Sequence, residues 1–153
     1  MNEANRIYDQ LRKSYAGLAW HGPALREVLE GIGEEAAARH VGGAHSVREL
    51  VRHIAAWEDI AAQTLEGRAY SGGNSLPLEK DWPPQAGSFA DELLNLERAQ
   101  RGLEAAVQSF PDARLDESVP GNPGLSFYVL LHGVIQHHLY HAGQIALLKK
   151  ELA

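Results

Sequence analysis

The chain has 153 residues, a net charge of −6 and no cysteine. That length fits one domain over residues 1–153, able to bury roughly 70% of its unfolded surface without covalent staples. Without cysteine there is no disulfide or thiolate site, so any metal falls to His, Asp or Glu. The acidic balance, with no run of Lys or Arg, argues against nucleic acid and anionic membranes as partners.

The first residues, Met1-Asn2-Glu3-Ala4-Asn5-Arg6, hold no apolar stretch of the signal-peptide kind. No apolar run approaches the ~20 residues that span a bilayer. The expectation is a soluble, cytoplasmic protein. From about residue 3 to 19, Ile7, Leu11, Tyr15 and Leu18 recur at helical spacing. Gly22 and Pro23 break that helix, and Pro23 suits the first turn of a second piece carrying Leu25, Val28 and Leu29. His21, at the break, reads as a loop histidine. Residues 31–44 form a connector with a short helical turn at 34–39.

Ser46 and Glu49 make a capping box, so a long helix is expected from there to Glu66, stopping at Gly67. Its apolar stripe is Val47, Leu50, Ile54, Trp57 and Ala61, with His53 on the flank as a boundary residue. Residues 67–87 are rich in Gly, Ser, Asn and Pro. They read as a long loop, which lets the chain cross over so that successive helices lie parallel, with Trp82 as its anchor. Ser88 caps a third long helix over 89–109, with Leu93, Leu96, Ala99 or Gln100, and Leu103 inward. Residues 120–124 are a turn cluster. The last helix runs from about 126 to 151 and ends in Lys149 and Lys150, which suit the negative end of its dipole. No strand alternation is visible, so the expected class is all-α, a four-helix bundle.

The last helix carries four of the eight histidines between His132 and His141. His137 and His141 stack one turn apart, and Gln144 follows on the same face. Leu130, Val134 and Leu148 share this stripe, which should be buried. Unpartnered buried imidazoles cost about 1–3 kcal/mol each, and a shared metal ion would satisfy both. Paired core histidines would explain the same pattern. His132 and His138 lie about 140° and 100° round the helix from His137 and read as surface or outer residues. A metal would need a third ligand from elsewhere.

Four stretches, in order, resemble the DinB-like (DinB/YfiT-like) superfamily of metalloenzymes. They are Ala19-Trp20-His21-Gly22-Pro23, then His45 to Glu58 with the core Val51-Arg52-His53-Ile54, then Asp81-Trp82-Pro83, and finally His132 to Ile145. The resemblance implies a four-helix bundle of up-up-down-down order, a homodimer, and a metal held by three histidines. One ligand falls on His53 and two on His137 and His141.

Three neutral imidazoles leave coordination positions open for a water, a thiol or a carbonyl, the layout of a catalytic rather than a structural site. Imidazole donors suit zinc or nickel foremost, then iron. No His-Glu-x-x-His motif supplies a built-in base. Gln144 reads first as packing and second as an orienter of a ligand. Glu58 is a weak candidate for a base or an acceptor behind a ligand. Some relatives look like thiol S-transferases or hydrolases, which implies an enzyme acting on a small molecule, with a low-molecular-weight thiol as the expected substrate. The alternative is a non-enzymatic metal-binding or stress-related bundle.

Overall fold

Capping side chains fix where the main helices begin. In the computed structural model, residues 2–73 and 76–153 are described. Asn2 caps α1, Glu3–Tyr15. Two short helices follow, α2 at Leu25–Leu29 and α3 at Glu34–Ala38. The Ser46–Glu49 box opens α4, Val47–Leu65, with Glu49 Oε2 accepting from Ser46 N at 2.7 Å. A four-residue α5, Leu78–Asp81, interrupts the long loop. Ser88 and Asp91 form a second box that opens α6, Phe89–Ser109. After a 3-10 turn at Asp112–Arg114, strands β1, Ser118–Val119, and β2, Asn122–Ser126, pair antiparallel. Ser126 then caps α7, Phe127–Leu152.

Two boundaries depart from expectation. The first helix ends at Tyr15, because Ala16 is extended and Gly17 has φ +150°. Leu18 therefore lies outside the helix and is exposed, as is Trp20. The turn cluster at 120–124 is the tip and second strand of a hairpin, with Gly121 at φ +82°. These strands are too short to show alternation in the sequence.

The core falls into two apolar clusters, and their membership gives the helix directions. One joins Tyr15 of α1, Leu50 and Ile54 of α4, Leu96 of α6, and Ile145 and Leu148 of α7. The other joins Ile7 and Leu11, then Ala61 and Leu65, Leu103 and Val107, and Phe127 and Val134. So α1 and α7 run one way while α4 and α6 run the other. The order is up, down, down, up, which corrects the up-up-down-down order implied by the resemblance. The physical reason is the number of crossovers. That order needs two long ones, whereas here only the segment between α4 and α6 makes one. The β-hairpin turns α6 back into α7, and the segment between α1 and α4 stays at one end, where α2 and α3 join the first cluster.

Between the clusters lies a polar level. Ser14, Glu58, Gln100 and His138 are all buried, one from each long helix. Among the described residues, no helix is long and apolar enough to cross a membrane.

Candidate metal centre

Just beside that polar level, α4 and α7 bring three imidazoles together. His137 Nε2 lies 2.9 Å from His53 Nε2 and 3.0 Å from His141 Nε2. All three offered nitrogens fall within 4.8 Å of one another. The antiparallel pairing of α4 and α7 makes this possible, since His137 and His141, one turn apart, straddle the single position of His53.

The outer nitrogens decide what the inner ones are. A backbone carbonyl only accepts, so His53 Nδ1 must donate to Asp81 O, at 2.7 Å. His141 Nδ1 likewise donates to Gln144 Oε1, at 2.5 Å. Both residues therefore turn a lone pair inward at Nε2. His137 Nε2 carries at most one hydrogen and faces two acceptors, so at least one of these close contacts has no hydrogen in it. His137 Nδ1 is buried and without a hydrogen-bond partner. This arrangement of convergent lone pairs fits a divalent ion. In a tetrahedral zinc site with Zn–N near 2.0–2.1 Å, the nitrogens stand roughly 3.3 Å apart.

Protonation does not relieve the cluster. Burial first, and repulsion from the other two imidazoles second, push His137 down to about 2. Burial likewise lowers His141 to about 4 and lowers His53, although Gln144 and the Asp81 carbonyl pull the other way. The three rings are neutral at pH 7, the state in which imidazole binds a metal.

Around the cluster, Trp82 stacks on His53 with ring centres 4.0 Å apart and on His45 at 3.6 Å, so the anchoring role expected of it is met at the site itself. Asp81 also accepts from Trp57 Nε1 at 2.8 Å through Oδ1, the oxygen that lies 3.2 Å from His53 Nδ1. A cavity of about 430 Å³ opens beside His53 and His137, walled by Trp57, Tyr70, Leu125, Val129 and Val134. A cavity of about 480 Å³ between α2 and α6 touches none of the three histidines.

The other singled-out residues have different places. His138 is fully buried, which corrects its reading as a surface or outer residue. Its Nε2 lies 2.7 Å from Glu58 Oε1, and its Nδ1 lies 3.0 Å from Ser14 Oγ. The wheel misled because α7 is buried over a wide arc. Leu131 and Ile145, seven residues either side of His138, were the available signal. Glu58 is the hydrogen-bond partner of His138 and not of His53. Burial pushes its carboxyl up, while His138 acts in the opposite direction. Gln144, read first as packing, orients His141. His21 is exposed, and His132 is half-buried against Tyr128. The Asp81 carbonyl, Trp57 and Tyr70 were not singled out from the sequence. Only the position of Trp82 in the motif pointed to that loop.

A family model described as the DinB superfamily matches residues 9–145. Comparison with curated proteins and with solved structures gave no match. The matched span holds His53, His137, His141 and the helices that carry them, and the chain belongs to the DinB superfamily.

Proposed function

We propose that this protein is a metal-dependent enzyme acting on a small molecule, of the thiol S-transferase or hydrolase type. The observation that carries the reading is the meeting of three ring nitrogens, two of them held as lone pairs, with an open cavity beside them. Closed structural sites have no such access. A bound zinc, nickel or iron ion would supply Lewis-acid activation of a thiol or carbonyl.

The chain's own residues do the rest. His53, His137 and His141 hold the ion, while the Asp81 carbonyl and Gln144 keep two of the rings turned inward. Leu125, Val129 and Val134 give the substrate an apolar seat. With no cysteine in the chain, a reacting thiol would come from a substrate. The pairing of α1 with α7 and of α4 with α6 supports a four-helix bundle with a single crossover, and the proposal includes a homodimer.

The test begins with elemental analysis of untagged protein beside His53→Ala and His141→Ala. About one equivalent of a transition metal is expected, and its loss in both variants. Metal-loaded protein should then consume a small thiol in the presence of an electrophile, and His137→Ala should abolish this. Turnover unchanged in that variant rejects the assignment. Metal binding that raises the melting temperature with no turnover favours the non-enzymatic reading instead.

A further inference from the structure

The cavity beside the histidines has an uneven wall. One side is aliphatic, with Val129, Leu130 and Val134. The other is made of Trp57, Tyr70 and Asp81. A Cβ on Gly72 would overlap both the Tyr70 hydroxyl and the Trp57 ring, so glycine there lets the loop hold the two aromatic side chains together. No Lys or Arg among the described residues lines the cavity. Among the described residues none pairs with Asp81, whose only ion-pair neighbour is His53. Both contacts that the described residues make to the Asp81 carboxylate fall on Oδ1.

An aromatic face next to an unneutralised carboxylate, in an apolar cavity, has a defined chemical preference. The ring quadrupoles and the carboxylate both attract a cation, most strongly where water is excluded. An anion would meet the carboxylate and no donor side chain of Lys or Arg. We infer that this cavity takes a small organic cation, with an ammonium head against Trp57, Tyr70 and Asp81 and an apolar body along α7. The inference rests on the reading of the cavity as the substrate site and names the class of substrate.

Three probes test it on the protein before and after chelation, by calorimetry and tryptophan fluorescence: benzyltrimethylammonium, benzyl alcohol and phenylacetate. Their order is judged on the chelated form, where no ion can ligate phenylacetate. The quaternary ammonium has no lone pair to give a metal, so its affinity reports the cavity. It should bind at least about tenfold more tightly than either of the others. Asp81→Asn should bring it to the level of benzyl alcohol in the chelated protein. Tyr70→Leu should weaken the cation about threefold and leave phenylacetate unchanged.

Phenylacetate binding as tightly as the cation to the chelated wild-type chain overturns the inference, as does an Asp81→Asn protein with its cation preference intact. Should that variant fail to fold, the wild-type order of probes and Tyr70→Leu decide the matter. Turnover by the metal-loaded protein separates the two readings. Cation preference without turnover would sink the enzyme and leave the cation site. Thiol turnover with no cation preference would do the reverse.

Discussion

His137 and His138 are neighbours in the chain and opposites in the fold. His137 faces two other imidazoles and an open cavity, with its outer nitrogen unpartnered. His138 has both nitrogens engaged inside the core, by Glu58 and Ser14. Ser14 Oγ also lies 2.8 Å from the Leu11 carbonyl, which ties the contact back into α1. A turn of about 100° along the helix separates a satisfied polar contact from an unsatisfied one. Burial of a histidine therefore does not mark a site. What marks it is ring nitrogens converging with too few hydrogens to share.

The sharpest break of this comparison is to remove each ring in turn. His138→Ala strips a buried carboxyl of its partner and should cost about 3–5 kcal/mol. At about 2–4 °C per kcal/mol for a chain of this size, the melting temperature falls by roughly 10 °C. His137→Ala should cost the metal-free protein less than half of that, while abolishing metal uptake. Thermal melts with and without chelator, beside elemental analysis, check both. Equal losses in the metal-free state would erase the distinction.

Acid should act next most strongly. The folded state holds His137 at about 2 and His141 at about 4, below the ordinary histidine value. The unfolded chain thus takes up these protons first. The contribution to stability is complete above about pH 6.5 and is lost as the pH falls through 6.5 towards 4, at up to about 1.4 kcal/mol per pH unit per group. Glu58, whose value is raised, has the opposite sign. Its contribution is present below the ordinary carboxyl range and is lost as the pH rises through the folded value. Urea unfolding of chelated protein at pH 7 and pH 5 should show the decline, and His137→Gln should flatten it. A profile as steep in that variant would trace the decline to another group.

The smallest effect on the fold should come from Gln144→Ala. The backbone and the three ligands stay, while His141 loses the acceptor that turns its ring. Metal affinity should fall about 10–100-fold, with the metal-free melting temperature within a few degrees of wild type. A competition titration against a chelator measures it. Unchanged affinity would return Gln144 to a packing role.

Much of the helical frame was legible before any coordinates. The boxes Ser46–Glu49 and Ser88–Asp91 write their helix starts as local hydrogen bonds, and such signals need no tertiary context. The loop between α4 and α6 was readable as a crossover from its length. The pairing of His53 with His137 and His141 came through the family pattern, since 84 residues separate His53 from His137. What stayed hidden depends on packing. His138 looked exposed because a wheel assumes one buried stripe, and α7 is covered on a broader face. The acceptor behind His53 is a main-chain carbonyl, which leaves no mark in residue type. The hairpin at 118–126 is too short for periodicity to register.

The division of the core has a consequence for how the protein comes apart. The apolar clusters lie on either side of the level of Ser14, Glu58, Gln100 and His138. Polar contacts across such a boundary couple two halves less firmly than continuous apolar packing, and proteins open along boundaries of this sort in cooperative units. The three imidazoles sit at the same waist, on two of the four helices that pass through both halves. An ion held there would act as a rivet. Loaded protein should exchange its amide hydrogens in α4 and α7 as one block. Stripped protein should release the end containing α2, α3 and the last turns of α7 before the end containing the β-hairpin.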